Sequence, residues 1–324
     1  MHKKFFRLRY IGIFMALILV LSACGSSGKS GSAGSGKKAS GDSYTVKHAM
    51  GTTTIKGTPK RVVVLTNEGT EALLAMGVKP VGAVKSWTGN PWYDHIKDQM
   101  KDVKPVGTES EVNLEAIIKL HPDLIIGNKM RQEKIYKKLS QIAPTVFSET
   151  LRGDWKENFK LYAKTLNKEK KGQEVLTAFD DRIKSIREKL GDKINTKVSL
   201  VRFMPGDIRI YHKDTFAGVI LDEIGLKRPK DQDKNDFAAQ HVTKEMIPNM
   251  DGDVLFYFVY DTGDGKATDA EKEYTSSPLW KNLNAVKSGK AFKVDDVIWN
   301  TAGGVIAANK MLDQLEGYLL NGKA

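Results

Sequence analysis

The chain has very little cysteine and few histidines, and this scarcity restricts its chemistry. Cys24 is the only cysteine among 324 residues, so no disulfide can form within the chain. A site for a bare metal ion needs several nitrogen, sulfur or carboxylate ligands at one point. The histidines of the body are scattered without ligand spacing, at His48, His95, His121, His212 and His241. The sequence therefore disfavours capture of a free metal ion.

Motifs of the common catalytic and nucleic-acid-binding classes are also missing. There is no nucleophile elbow, P-loop, dinucleotide fingerprint or metal-hydrolase helix, and residues 263–265 predict only a turn. No Cys/His finger, RNP-like aromatic run or basic heptad arm accompanies the formal net charge of +12. A nucleic-acid partner is therefore not expected. An enzyme stays open as an alternative of a different class, because two-lobed α/β bodies also host lyases and hydrolases.

Long apolar runs are absent too, and the one distinct run lies near the N-terminus. Residues 11–21 are apolar and follow a basic start with Lys3, Lys4, Arg7 and Arg9. The run is shorter than the roughly 20 residues that span a bilayer. The sequence therefore predicts a secretory signal peptide over residues 1–23 rather than a membrane-spanning helix.

Cys24 directly follows this run. The segment 21–24, Leu-Ser-Ala-Cys, resembles the lipobox of bacterial lipoproteins, in which the signal is cut before the cysteine and its thiol is acylated. An ordinary signal peptide is the alternative, but it would leave a free thiol in an exported protein. We therefore expect a lipid anchor on Cys24. Residues 24–43, rich in Gly, Ser, Lys and Ala, predict a flexible spacer between the membrane and a folded body.

Beyond the spacer, strand-like and helix-like segments alternate. Residues 61–65 predict a strand, residues 68–76 a helix that stops at Gly77, and residues 80–84 a second strand. This alternation predicts an N-terminal α/β lobe with a parallel sheet over residues 44–153. Apolar residues at helical spacing predict a long linking helix over residues 154–192, with Asn167 and Gly172 as points of bending. The alternation resumes over residues 193–324, which predicts a C-terminal α/β lobe.

An internal repeat relates the two predicted lobes. The segment 112–115 precedes Asp123 and an apolar strand, and the segment 242–245 precedes Asp253 and another apolar strand at the same spacing. Asn113 and Thr243 are each predicted to cap a helix. Glu115 and Glu245 would then lie in the first helical turn, where a carboxylate complements the helix dipole. The spacing equally allows a second role, as matched carboxylates that a basic partner recognises on both lobes.

The body resembles the iron-siderophore and cobalamin class of bacterial solute-binding proteins. The resemblance extends over nearly all of the predicted body and is carried in order by residues 57–64, 71–82, 113–115, 120–126 and 142–145. It implies two Rossmann-like lobes joined by one long α-helix, a ligand cleft between the lobes, no enzymatic activity and no cofactor. It also implies that Glu115 and Glu245 dock into arginines of an ABC permease. With the predicted anchor, we expect a monomer attached to the outer face of a Gram-positive cell membrane.

The resemblance also implies a ferric siderophore as the ligand. Arginine forks suit the carboxylates of an anionic, citrate-based hydroxamate or carboxylate siderophore, and aromatic side chains suit its body. A catecholate siderophore, or haem or cobalamin on the same fold, is the alternative. The predicted ligand-binding residues lie near or after strand ends, where open α/β sheets bind their ligands, except that Arg209 and Tyr211 share one face of the strand after Arg202. They are Trp87, Arg131, Arg202, Arg209, Tyr211 and Trp299, with Tyr260 as a further candidate.

Two of these assignments have competing explanations. Arg209 lies between Ile208 and Ile210, so a strand that buries both isoleucines could point Arg209 to water. The tryptophans could instead serve lobe packing, and we assign that role to Trp92, Trp155 and Trp280.

Overall fold

A computed structural model of the protein describes residues 43–322. The predicted signal peptide, Cys24 and all of the predicted spacer except Ser43 lie outside the described residues. Within the described part, no helix combines the length and the apolar character that crossing a membrane requires.

The strands form a hairpin and two five-stranded sheets. Their bounds are β1 (Ser43–His48), β2 (Gly51–Lys56), β3 (Val62–Val64), β4 (Gly82–Ala83), β5 (Lys104–Pro105), β6 (Leu124–Asn128), β7 (Thr145–Ser148), β8 (Val198–Met204), β9 (Asp207–Tyr211), β10 (Ala238–Ala239), β11 (Val254–Val259) and β12 (Ala291–Lys293).

Helices follow most strands and cover the sheets. Their bounds are α1 (Asn67–Ala75), α2 (Leu114–Lys119), α3 (Lys129–Gln132), α4 (Tyr136–Ile142), α5 (Trp155–Thr165), α6 (Glu169–Leu190), α7 (Phe216–Ile224), α8 (Lys266–Thr275), α9 (Pro278–Lys281), α10 (Asn284–Lys287) and α11 (Val305–Asn321). Short 3₁₀ segments add to these, including Lys244–Met250, and a π-helical turn covers Val297–Thr301.

The first lobe contains a parallel sheet with the strand order β5-β4-β3-β6-β7. Its central strands β3 and β6 are buried along their whole length, as expected for parallel strands covered on both faces. The second lobe has the order β10-β9-β8-β11-β12, in which β8, β11 and β12 pair in parallel while β9 runs antiparallel to both of its neighbours, β8 and β10. The predicted fold class, two α/β lobes, is confirmed.

The repeat seen in the sequence is a structural repeat. The Asp123 carboxylate accepts hydrogen bonds from the backbone amides of Lys60 and Arg61 at 2.8 and 2.9 Å, just before β3. In the second lobe the Asp253 carboxylate accepts a hydrogen bond from the amide of Lys197 at 2.7 Å, just before β8. Each aspartate therefore joins the two central strands of its own sheet.

The first helix of each lobe also begins in the same way. Thr66 caps α1 by accepting a hydrogen bond from the Gly69 amide at 3.0 Å, and Thr215 caps α7 by accepting one from the Gly218 amide at 3.1 Å. A Cβ atom at either glycine would come within 2.7 Å of the capping hydroxyl oxygen. Glycine at these two positions therefore permits the close approach on which each cap depends.

The segment between the lobes contains two helices rather than one. The prediction of a single helix over residues 154–192 was wrong in this respect, because the helix breaks after α5 at Asn167, whose φ is +54°. Gly172 lies inside α6, which continues unbroken from Glu169 to Leu190. A Cβ atom at Gly172 would come within 2.6 Å of the Ala163 Cβ, so glycine allows α5 and α6 to pack closely. The lobe boundaries themselves stay a prediction.

Helix α6 contacts both lobes and links their cores. Near its N-terminus Gly172 lies against Met76 of the first lobe, and near its C-terminus Arg187 donates a hydrogen bond to the Ile224 carbonyl of the second lobe at 2.9 Å. One continuous cluster of buried apolar residues includes side chains from both sheets, α6 and α11. The lobes are therefore joined by packing as well as by the chain.

Candidate functional site

A cleft of ≈ 440 Å³ lies between the lobes, at the carboxyl ends of strands from both sheets. It contains four arginines, several aromatic rings and two acidic side chains. The residues that line it are Glu68, Trp87, Glu109, Met130, Arg131, Leu151, Arg152, Arg202, Met204, Arg209, Tyr211, Thr215, Phe216, Phe237, Tyr260, Asn300, Thr301, Ala302 and Gly303.

Arg202 lies at the floor of the cleft and is almost fully buried. Its Nε and Nη2 atoms donate to the two carboxylate oxygens of Asp296 at 2.6 and 3.0 Å. Burial alone would lower the pKa of this guanidinium, but Tyr211 and Asp296 outweigh burial and raise the pKa. Arg202 is therefore a fixed cation, oriented by a bidentate pair before any ligand arrives.

Two tyrosines contact the Arg202 guanidinium. The Tyr211 hydroxyl accepts a hydrogen bond from Nη1 at 3.1 Å, and the guanidinium carbon lies 4.7 Å from the centre of the Tyr260 ring. Tyr211 is buried, whereas Tyr260 is half-buried on the cleft wall. The strand end of β8 and the residue after β11 thus form one cationic and aromatic surface.

A second pair of arginines holds the ring of Phe237. The guanidinium carbons of Arg152 and Arg209 lie 4.7 and 5.5 Å from the ring centre. Arg209 is held by Asp207, whose Oδ2 accepts from Nε at 2.6 Å, and Arg152 lies 3.5 Å from Asp214. Arg152 comes from the first lobe, so this cluster joins the two walls of the cleft.

Arg131 and Trp87 form the cationic and aromatic surface of the first lobe. The Arg131 guanidinium carbon lies 5.5 Å from the centre of the Trp87 ring, and its Nε lies 3.4 Å from Glu109 Oε2. The Arg131 side chain is 40% exposed, while the Glu109 side chain is only 4% exposed. The buried Glu109 carboxylate therefore holds the Nε end of the guanidinium, while the rest of the exposed Arg131 side chain can reach a ligand.

The two acidic side chains of the cleft are buried, and burial raises the pKa of both. Glu109 accepts hydrogen bonds from the backbone and side-chain amides of Asn67 at 2.7 and 2.8 Å, which oppose this rise. The pKa of Glu68 lies well above its usual value of 4.5, although Asn158 donates a hydrogen bond to it at 3.2 Å.

The predicted ligand residue Trp299 does not line the cleft. Its side chain is 0% exposed and packs 4.5 Å from the centre of the Phe256 ring, and its indole nitrogen donates to Gln314 at 2.6 Å. The π-helical turn Val297–Thr301 directs Trp299 into the core and presents Asn300 and Thr301 to the cleft instead. The assignment of Trp299 as a ligand contact was therefore wrong.

The structure brings together the other predicted residues, Trp87, Arg131, Arg202, Arg209 and Tyr211, at one cleft. Arg209 does not simply point to water, because it lines the same cleft. Sequence reasoning missed Arg152 and Phe237, which lie in irregular segments with no periodic pattern. It also missed Met130, although Met130 adjoins Arg131 after the same strand.

Glu115 and Glu245 are exposed on the two lobes, away from the cleft lining. Asn113 caps α2 as predicted, and its side chain accepts from the Ala116 amide at 3.0 Å. Thr243 does not cap its helix in this way; it donates a hydrogen bond to Glu245, which lowers the pKa of that carboxylate. The second segment forms a 3₁₀ rather than an α-helix, and it contains Pro248, which has no amide hydrogen to donate.

Metal ligands do not cluster in the described part of the chain. Among residues 43–322, no group of three or more His, Cys, Asp or Glu side chains is placed to hold a metal ion. The arrangement of the cleft instead suits a ligand that offers anionic oxygens to several guanidinium groups and an apolar or planar surface to Trp87, Tyr260 and Phe237.

Two α/β lobes with a cleft at the carboxyl ends of their strands form a body suited to ligand binding. Residues 62–297 match the family described as "Periplasmic binding protein", and the chain belongs to that family. The predicted membership in this class of solute-binding proteins is therefore confirmed.

Proteins from two organisms are similar to this chain over most of its length. "Probable siderophore-binding lipoprotein YfiY" of Bacillus subtilis is 56% identical over 319 residues, which cover 96% of this chain and 97% of that protein. "Fe(3+)-citrate-binding protein YfmC" of the same organism is 33% identical and covers 91% of each chain. The crystal structure of Staphylococcus aureus SirA complexed with staphyloferrin B is similar with a TM-score of 0.80 and 42% identity, covering 86% of this chain and 98% of that one.

Proposed function

We propose that this chain captures a ferric siderophore that carries several carboxylates and delivers it to an ABC permease for iron uptake. The observation that carries the proposal is the group of four arginines, Arg131, Arg152, Arg202 and Arg209, which face one cleft from both lobes. Each guanidinium can donate two parallel hydrogen bonds to a carboxylate. The names of the similar proteins, which refer to siderophores, ferric citrate and staphyloferrin B, support the same ligand class.

The protein holds the organic shell of the ligand rather than the iron. Iron in such a complex is already surrounded by the oxygen atoms of the siderophore, so the cleft needs cations and aromatic surface but no metal ligands. We accordingly propose that the chain acts without a cofactor and without chemistry on its cargo. Mass spectrometry of the siderophore after prolonged incubation should recover it unchanged, and cleavage of the siderophore would contradict this.

The ligand class is tested by titrating the chain from residue 25 onward with ferric staphyloferrin B, ferric citrate, a ferric catecholate, haem and cobalamin. We expect saturable binding of the carboxylate siderophore, with a Kd raised roughly 10- to 100-fold by Arg209→Ala or Arg131→Ala. Arg182→Ala is the matched control, because Arg182 pairs with Asp313 outside the cleft. Preferential binding of haem or cobalamin would overturn the proposed cargo, and binding of the catecholate alone would overturn the carboxylate class.

The permease is proposed to recognise Glu115 and Glu245 together. Both carboxylates are exposed, occupy equivalent positions in the repeat and lie outside the cleft, which supports a role separate from ligand binding. A Glu115→Ala/Glu245→Ala double variant should keep the wild-type Kd for the siderophore and lose iron uptake in cells. Loss of affinity in the purified double variant would contradict this separation.

We further propose that the mature protein is a monomer, attached through a lipid on Cys24 to the outer face of the cell membrane. The lipobox-like segment and the description of the 56% identical relative as a lipoprotein support this. Cys24→Ala should release the protein from washed membranes into the medium. Retention of that variant on the membrane would overturn the proposed anchor.

A further inference from the structure

Large apolar side chains with high exposure are rare on the described surface, and their positions form a pattern. Ile118 is 51% exposed, Met130 is 45% exposed and Leu279 is 40% exposed. Met130 lines the cleft, so the proposed ligand accounts for it. Ile118 and Leu279 lie elsewhere, one on each lobe, and the ligand does not account for them.

In the first lobe Ile118 lies beside Glu115. Both are on α2 three positions apart, so their side chains share one face of the helix. Ile118 also borders a surface groove of ≈ 660 Å³ between α2 and α4, whose lining includes Leu114, Pro122 and Ile142. The exposed Glu115 carboxylate thus lies on the same helix as the side chain that borders this apolar groove.

In the second lobe Leu279 lies close to the segment that carries Glu245. Leu279 is on the short helix α9, which packs against the 3₁₀ segment Lys244–Met250. Glu245 is exposed on that segment and corresponds to Glu115 in the repeat. Each of the matched glutamates therefore lies on a segment that carries an exposed aliphatic side chain or packs against a helix that carries one.

We propose that Ile118 and Leu279 are apolar contacts for the partner that recognises Glu115 and Glu245. This inference rests on the permease docking proposed above. The partner surface would present a basic side chain next to an apolar one at two separated positions. At the first lobe, the apolar side chain of the partner would enter the groove between α2 and α4. Exposed ion pairs mainly orient an encounter, whereas buried apolar anchors slow dissociation. The glutamates and the aliphatic residues thus have complementary roles.

The test measures iron uptake in the parent bacterium, with the full-length lipoprotein variant replacing the wild-type gene. Ferric staphyloferrin B and ferric citrate, labelled with radioactive iron, are the probes. We expect Ile118→Ser and Leu279→Ser to reduce uptake roughly tenfold while the Kd of the purified protein stays unchanged. Serine keeps the local charge, and both sites are exposed enough that folding should be preserved, which thermal unfolding verifies.

Two control variants separate the possible results. Met130→Ser should raise the Kd and reduce uptake at low siderophore concentration, because Met130 belongs to the cleft. If Glu115→Ala/Glu245→Ala abolishes uptake while both serine variants transport normally, the apolar contacts are overturned and the docking proposal survives. If the glutamate variant also transports normally, permease docking through this face is overturned as well. Absence of uptake of both probes by the wild type would overturn the proposed cargo.

A photo-crosslinking amino acid at positions 118 and 279 identifies the occupant directly. Crosslinks to a membrane-spanning permease subunit, identified by mass spectrometry, are the expected result. Crosslinks to a second copy of this chain or to lipid would overturn the proposal.

Discussion

Arg202 and Asp296 form a buried bidentate ion pair, with N–O distances of 2.6 and 3.0 Å. Arg202 comes from strand β8 and Asp296 from the segment that follows β12, so the pair joins two separate parts of the second lobe. The pair also positions the guanidinium so that its Nη1 atom donates a hydrogen bond to the Tyr211 hydroxyl. Both Arg202 and Tyr211 line the cleft.

Replacing only one partner of this pair should lower the free energy of unfolding more than replacing both partners with apolar residues. Asp296→Asn or Arg202→Met alone leaves a buried charge without its partner, and we expect the free energy of unfolding to fall by about 3–5 kcal/mol. The Arg202→Met/Asp296→Leu double variant should be less destabilised than either single variant. Urea denaturation checks this, with Arg182→Ala as a control expected to cost no more than about 1 kcal/mol, because its partner Asp313 is exposed. Additive losses in the double variant would contradict the expectation.

Trp87 and Trp299 should respond to substitution in opposite ways. Trp299→Phe removes atoms from a closed core position, so we expect the free energy of unfolding to fall by about 1–3 kcal/mol with an unchanged siderophore Kd. Trp87→Phe should change the Kd with little effect on stability, because Trp87 is half-buried on the cleft wall. Chemical denaturation and titration of both variants make the comparison. An altered Kd in Trp299→Phe would restore its predicted contact role.

Glu68 should make the fold less stable as the pH rises. Burial raises its folded pKa well above the usual 4.5, so between these two values the folded state binds more protons than the unfolded state. The stabilising contribution is complete below about pH 4.5 and is lost as the pH passes through the raised pKa, at up to about 1.4 kcal/mol per pH unit. Glu68→Gln should remove this part of the slope in urea denaturation at several pH values. Parallel slopes for variant and wild type would contradict the assignment.

Ligand binding should change the overall shape only slightly. Helix α6 packs against both lobes and a common apolar cluster continues between them, which opposes a large hinge rotation. Small-angle X-ray scattering of the ligand-free and siderophore-saturated protein should give closely similar radii of gyration. A marked compaction on binding would show that the lobes move as independent bodies.

Much of the fold could be predicted because its signals are local. Alternating apolar strands and capped helices predicted both lobes, and the helix predicted over residues 68–76 agrees with α1 (Asn67–Ala75) to within one residue at each end. The linking segment was predicted less well: helical spacing continues through residues 154–190, and Asn167 indicated a bend where the structure has a break. Periodicity cannot distinguish one bent helix from two packed helices.

The site was predicted only in part, because local sequence patterns do not show how side chains from separate segments come together. Position near or after a strand end indicated Arg131 and Arg202, both of which line the cleft, but it does not tell which way a side chain faces. Trp299 follows a strand, yet a π-helical turn points it into the core. Arg152 and Phe237 meet only through tertiary folding of two irregular segments, so no local pattern indicated their contact.

The carboxylate beside every cleft arginine has a consequence for selectivity against common inorganic anions. A phosphate or chloride ion that approaches one guanidinium must compete with a protein carboxylate already within 3.5 Å of it. A siderophore with several carboxylates meets several guanidiniums at once, and each contact raises the effective concentration for the next. We therefore expect small inorganic anions to compete poorly for the cleft, and the affinity to rise with the number of carboxylates that a single molecule carries.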